Sequence, residues 1–221
     1  MSDFFTSDTH LNHGNIILHS NRPYAMEGVH YSKNNEGKKL WLDRPTSKQC
    51  SDAMSEDLIA KHNSLVKAGD TVYHLGDYAF GGKDKVAGYL RRMNGNFKFI
   101  FGNHDEGLTE LSKVISQYPD LRDRIEFLGD YAVITVETQR IVLMHYAMRT
   151  WDRSHADTWQ LYGHSHGQLK DDPGSMNIDV GVDCHNFYPI TFEQVRDIMS
   201  KKTWKPLRPM WLRKTAHAPK L

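Results

Sequence analysis

Cysteine is scarce in this chain: Cys50 and Cys184 are the only two in 221 residues. Two thiols do not staple a chain of that length, so a disulfide framework is excluded and a reducing, intracellular setting is the simpler reading. Long apolar runs are missing as well, and none approaches the roughly 20 residues of a membrane-spanning helix. No charge sign dominates, because 28 basic residues stand against 27 acidic ones for a formal charge of +1. A global field for nucleic acid or a membrane surface is thereby excluded. The first strand-like run, Asp3-Phe4-Phe5-Thr6, begins almost at Met1. The expectation is therefore a cytoplasmic chain without a targeting peptide. Internal repeats and low-complexity segments are also lacking. One absence is local: Ile198 to Leu221 holds no Asp or Glu but seven Lys or Arg, and +1 less those seven leaves −6 on the remainder.

Against these gaps stand 39% hydrophobic and 25% charged residues, the composition of a globular domain with a real core. The expectation is one domain over residues 1–202 followed by a basic tail over 203–221. Its centre is Phe97-Lys98-Phe99-Ile100-Phe101-Gly102-Asn103-His104-Asp105. There an apolar, β-prone run stops at glycine and presents an amide, an imidazole and a carboxylate in succession. The ending recurs. Val72-Tyr73-His74-Leu75-Gly76-Asp77 closes on Gly and Asp, and Ile141-Val142-Leu143-Met144-His145 closes on His. Polar groups at the C-terminal edges of buried strands can converge on one point.

In chain order, Asp8 and His10 follow the first strand at i and i+2, the same side of an extended backbone. Residues 28–51 read as a long, polar, irregular insert with Tyr31 and Trp41, either a solvated excursion or a lid over the substrate. Apolar spacing predicts helices over 54–67, 83–93 and 108–117. These alternate with strands 72–76 and 97–101 in the β-α-β-α-β order of a layered α/β fold. Strands are predicted over 124–128, 131–138, 139–144, 158–162 and 176–182, forming a second sheet packed on the first. Thr191-Phe192-Glu193-Gln194 is a capping box, stapled by Ile190 and Val195, and opens the last helix.

The strand-end residues collect into one set: Asp8, His10, Asp77, Asn103, His104, His145, His164 and His166. Singly, each has a bland reading as a solvated or hydrogen-bonded side chain; jointly, that reading needs many independent accidents. Imidazole and carboxylate without thiolate suit a divalent ion such as Mn²⁺, Fe, Zn²⁺, Ni²⁺ or Co²⁺, and not a closed structural zinc site.

The blocks Asp8-x-His10, Gly76-Asp77, Gly102-Asn103-His104-Asp105, His145 and Gly163-His164-Ser165-His166 resemble the five motifs of the calcineurin-like metallophosphoesterases. They stand in that family's order across most of the chain, and the flanking text is similar to small microbial and phage members. The resemblance implies a four-layer αββα sandwich, two mixed β-sheets flanked by helices. It also implies two divalent metal ions, with Mn²⁺ favoured. Asp8, His10 and His166 would hold the first, Asn103, His145 and His164 the second, and Asp77 both. His104 matches the family's non-ligand histidine beside the leaving group, and the implied chemistry is in-line attack on phosphorus by water activated between the cations.

Three further residues are candidates for substrate contact: His13 just after the first motif, and Arg22 and Arg149, whose guanidinium forks could grip a phosphate. His74 reads as structural, and Cys184 has no evident role. The expected activity is hydrolysis of small or nucleotide-derived phosphodiesters. A phosphomonoesterase acting on phosphoprotein or nucleotide is the alternative. So is a nuclease that uses the basic tail, with Trp204 and Trp211, and the insert's Trp41 to hold single strands. The partner is a phosphate ester, with nucleotide or nucleic acid as candidates and no membrane. The residues leave oligomeric state open.

Overall fold

Phe4 and Phe5 are consecutive in a strand and therefore face opposite ways. That alternation divides the interior in two. A computed structural model describes residues 1–205. The expected basic tail lies outside the described residues from 206 onward, Trp211 included. The first strand, β1 (Asp3–Thr6), is followed by α1 (Gly14–His19), β2 (Tyr31–Lys33), β3 (Lys39–Trp41), α2 (Arg44–Leu65) and β4 (Thr71–His74). Next come α3 (Lys83–Arg92), β5 (Asn96–Ile100), α4 (Glu106–Lys113), β6 (Ile125–Gly129), β7 (Tyr131–Val136) and β8 (Gln139–Met144). The chain then runs through β9 (Trp159–Tyr162), β10 (Asn177–Asp179), β11 (Ile190–Thr191) and α5 (Phe192–Ser200).

Two mixed sheets result. The first has the order β11-β1-β4-β5-β6, parallel from β1 to β6, with β11 antiparallel on β1. The second has the order β10-β9-β8-β7, parallel except for the β7–β8 hairpin. Phe4, Val72, Phe97 and Phe99 pack on residues of α1 to α4. Phe5, Tyr73, Leu75 and Ile100 meet Ile141, Leu143, Leu161 and Ile178 of the second sheet, together with Phe192, Val195 and Met199 of α5. The layered α/β sandwich is thus the one expected, with its helices shared unequally between the two cores. Among the described residues no helix is long and apolar enough to cross a membrane.

Three local expectations need correction. β6 does not open the second sheet but extends the first, beside β5. The helix expected from 54 begins ten residues earlier, because Asp43 caps it through the Thr46 N–H at 2.7 Å and Pro45 sits where its missing donor costs nothing. The insert at 28–51 is therefore no irregular loop; it is the β2–β3 hairpin running into α2, whose residues Met54 and Leu58 are buried. The capping box at Thr191 and Gln194 forms as read, with both reciprocal hydrogen bonds.

A buried histidine on α2 makes acid stability testable. His62 is 3% exposed, lies stacked on Phe97, and Nε2–H donates to the Asn94 carbonyl at 2.8 Å. Burial lowers its pKa from 6.5 to about 4. The unfolded chain therefore binds a proton that the folded chain does not, and the stability from a neutral His62 is lost as pH falls from about 6.5 towards 4. Between pH 7 and 4.5 that loss is about 2 kcal/mol. Urea unfolding at both pH values should show a smaller drop in His62→Gln by that amount. Parallel pH profiles in the variant and the parent would refute it.

Candidate metal centre

The parallel strands β1, β4 and β5 of one sheet and β8 and β9 of the other all release their chains at one edge of the sandwich. The loops that follow carry every residue of the sequence-derived set. Asp8, His10 and His166 form one group and Asp77, His145 and His164 another, each with ligand-type atoms within 4.8 Å of one another. Asp77 lies between them: Oδ2 is 3.3 Å from His10 Nε2 and 3.6 Å from His145 Nε2. Asn103 joins the second group, its Oδ1 3.2 Å from His145 Nε2 and accepting from the Tyr146 hydroxyl at 3.3 Å.

These loops are held by their backbones. Asp8, His10, Asp77, His164 and His166 all adopt left-handed conformations, with φ of 58°, 47°, 57°, 66° and 48°. Such φ values are uncommon away from glycine and collect where the surroundings over-determine them. The surroundings are visible. The His164 N–H donates to both Asp8 carboxylate oxygens at 3.1 and 2.9 Å, and a Cβ on Gly163 would come within 2.3 Å of Asp8 Oδ2. Asp105 is buried and receives the N–H groups of Asp77, Tyr78 and Gly102, each at 2.8 Å.

The donor set fits divalent cations on three observations. First, His145 Nδ1–H donates to the Leu75 carbonyl at 2.7 Å and His166 Nδ1–H to Asp183 Oδ2 at 2.7 Å, so both rings turn Nε2 inward. This is how proteins fix the tautomer of a metal-binding imidazole. Second, His10 Nε2 is buried with no hydrogen-bond partner, an expensive state for a polar atom unless something positive meets it. Third, burial pushes the Asp8 carboxyl up to about 7, against the pull of His145 and His166, and pushes His10 well below its ordinary value. A cation would draw the Asp8 carboxyl to its charged form, and the neutral imidazole at His10 is already the form that ligates a metal. Asp77 differs: burial raises its pKa, but the neighbouring His145 and His10 imidazoles and the His104 N–H outweigh that and lower it, so it stays ionised.

An open cleft of about 710 Å³ lies over these groups, lined by His10, Asp77, His104, His164 and His166 on its floor and by Ile16 and Leu169 on its walls. His104 is exposed there, its backbone N–H fixed to Asp77 Oδ1 at 2.9 Å. His13 also lines the cleft, stacked on Phe80 at 3.7 Å and 3.3 Å from His10 Nδ1 to Nδ1. Its pKa falls to about 4 through burial and the nearby His104 and Arg22 charges, so it is neutral near pH 7.

Neither arginine lines the cleft. Arg22 is 3% exposed and spends its fork on Asp183, at 2.8 and 2.7 Å, with further bonds to the Asp8 and Thr9 carbonyls. A guanidinium so occupied and so buried positions the Asp8 loop and, through Asp183, His166. Arg149 lines a separate depression with Trp151, His155 and Trp204. His74 is buried and bonded to Thr9. Sequence analysis assigned nothing to Asp179 or Asp183, which support the site from behind. Asp179 accepts from Ser165 Oγ at 2.5 Å and from the Gly181 N–H at 2.7 Å, and so braces the turn that carries His164 and His166. The long-range partners of Asp179 and Asp183, namely Ser165, His166 and Arg22, lie 14, 17 and 161 residues away and could not be read from the sequence.

Comparison with known proteins agrees with this geometry. The family model described as a calcineurin-like phosphoesterase superfamily domain matches residues 51–181, more than half of the chain. This chain belongs to that superfamily. The matched segment contains Asp77, Asn103, His104, His145, His164 and His166, and the Asp8–His10 loop precedes it. An uncharacterized protein of Methanocaldococcus jannaschii is 25% identical over 205 residues, 90% of this chain and 91% of that one. A protein of unknown function from Aquifex aeolicus is similar in structure, with a TM-score of 0.54, 21% identity, and coverage of 89% of this chain and 98% of that one. That likeness concerns the fold. As a superfamily member with two groups of ligand-type side chains, the chain is a metal-dependent phosphoesterase.

Proposed function

We propose that this protein hydrolyses phosphodiesters with two divalent cations, Mn²⁺ first among them, through a domain spanning residues 1–202. Asp8, His10 and His166 would hold one cation, Asn103, His145 and His164 the other, and Asp77 both. When bound, the cations neutralise phosphate oxygens and make a water acidic enough to attack phosphorus near neutral pH. The rest falls to the chain's own side chains. Asp77 keeps its charge and fixes the His104 backbone, and His104 stands at the open face of the cleft, where an imidazole can hand a proton to the leaving oxygen.

The observation that carries the diester preference is the cleft wall. Among the described residues its lining includes no Lys or Arg, yet it includes Ile16 and Leu169. A phosphomonoester brings a second negative charge that basic side chains ordinarily meet. A diester brings one charge and a second substituent, which suits a wall without such groups.

The test uses metal-stripped protein with Mn²⁺ restored and matched p-nitrophenyl diester and monoester substrates. Diester turnover that depends on Mn²⁺ is expected. Turnover of the monoester alone would transfer the site to the phosphatases. His104→Ala should lower turnover by roughly 10²-fold on a diester with an alkyl leaving group. It should matter far less for p-nitrophenolate, which departs without a proton, and equal losses on both would remove the acid role.

A further inference from the structure

Beside the cleft lies a second cavity of about 460 Å³, walled by Asn15, Leu18 and His19 on one side and by Lys38, Lys39, Leu40 and Trp41 on the other. Asn15 and His19 belong to both cavities, so the two are continuous. The first wall is one face of α1, since i, i+3 and i+4 lie together on a helix. The second is the end of the β2–β3 hairpin, the part of the insert that sequence reading left between a solvated excursion and a lid.

Trp41 is fixed there. Its indole Nε1–H donates to Asn15 Oδ1 at 3.2 Å, which ties the hairpin to α1 and holds the ring half-buried against the helix. Lys39 shares its strand face by the two-residue period and bonds Asn21 Oδ1, while Lys38 is exposed. Among the described residues neither lysine has a carboxylate partner, although Lys33 on the same hairpin pairs with Glu27 at 2.7 Å. The depression that shares His104 with the cleft is the opposite in charge. Glu106 and Glu110 line it, with no cation, among Phe80, Gly81 and Gly82. An anionic, planar group is therefore directed away from His104 and towards Trp41.

We propose that the groove between α1 and the β2–β3 hairpin binds the retained nucleotide of a small nucleotide-derived phosphodiester, its base on Trp41 and its flanking phosphate beside Lys38 and Lys39. The inference rests on the phosphodiesterase reading and deepens it by naming a substrate class. A volume of about 460 Å³ suits one nucleotide. Aromatic side chains grip a base by its face whatever its sequence, and paired cations meet the phosphate. No new chemical step is involved: the nucleoside stays on the groove side, and the leaving group departs on the His104 side.

Two measurements test it on the full chain. In the first, metal-stripped protein is titrated with thymidine 5′-monophosphate and with ribose 5-phosphate while tryptophan fluorescence is followed. Quenching by the nucleotide alone, abolished in Trp41→Ala and retained in Trp41→Phe, is expected. In the second, Mn²⁺-loaded enzyme is given thymidine 5′-(p-nitrophenyl phosphate) and bis(p-nitrophenyl) phosphate, which release the same phenol. The ratio of their kcat/KM values should favour the thymidine ester by about tenfold in the parent and fall by about that factor in Trp41→Ala. Adding a 3′-phosphate to the thymidine ester, the flanking group, should raise its kcat/KM further, and that gain, with its salt dependence, should be lost in Lys38→Ser/Lys39→Ser. Binding without turnover of either ester would sustain the groove and sink the phosphodiesterase reading. Turnover of both with a ratio near one and no quenching would do the reverse. Affinity that keeps rising with oligonucleotide length beyond two residues would overturn the small-substrate assignment in favour of a single-strand track.

Discussion

Asp77→Asn should abolish turnover, lowering kcat by roughly 10³-fold or more while the fold stays intact. Asn keeps the shape of the side chain and an oxygen for the His104 N–H. What it removes is the negative charge that both imidazole groups face, 3.3 Å from His10 and 3.6 Å from His145. Because Asp77 would serve both cations, neither cluster alone can take its place, and activity should be lost even where one cation stays bound. Metal content by atomic emission should fall from two equivalents in the parent to one or none in the variant, and the circular dichroism spectrum should be unchanged. Activity within tenfold of the parent would mean that the two clusters work independently, and the dinuclear reading would go.

The second large effect is on folding. Gly76 closes β4 with φ of +96°, and a Cβ there would come within 2.6 Å of the Gly102 nitrogen, 2.7 Å of its Cα and 2.7 Å of His145 Nδ1. The obstacles are backbone and a fixed imidazole, neither able to yield cheaply. Gly76→Ala should therefore cost about 3 kcal/mol or more, from the left-handed backbone and the overlap together. Gly88 supplies the control. It lies inside α3 with nothing within 4 Å of an added Cβ, so Gly88→Ala should stabilise by about 0.5–1 kcal/mol. Urea unfolding of the two variants should move in opposite directions, and a Gly76→Ala protein as stable as its parent would refute the tight apposition of the β4 and β5 loops.

The candidate site was legible because its chemistry is local in sequence: an apolar run that ends on a ligand-type side chain, five times over, with glycine just before it at Asp77, Asn103 and His164. A strand buried on both faces offers no other reason to stop on His or Asp, so pattern alone gathered Asp8, Asp77, Asn103, His145 and His164 before any contact was known. Arg22 was misread for the complementary reason. A guanidinium looks the same in sequence whether it meets a phosphate or, as here, a carboxylate 161 positions away. β6 was assigned to the wrong sheet because an alternating strand carries its periodicity but not its neighbour. The insert at 28–51 hid its hairpin because β2 and β3 are only three residues each, too short for a period-two signal to emerge from charged text. The early start of α2 was available in Asp43-Arg44-Pro45, a cap followed by proline in the first turn, but the polar residues after it masked the helical period.

The left-handed backbone at Asp8, His10, Asp77, His164 and His166 sets protein chemistry against natural history. Each of those residues sits where glycine or asparagine would be more comfortable by about 1 kcal/mol. A pool of variants selected for heat resistance alone, with no demand for catalysis, should accordingly accumulate glycine and asparagine at these five positions before it improves either core. Ancestors or descendants that lost the reaction would carry the same mark. Their frameworks would be sturdier than this one, and their histidines would be the first letters to fade.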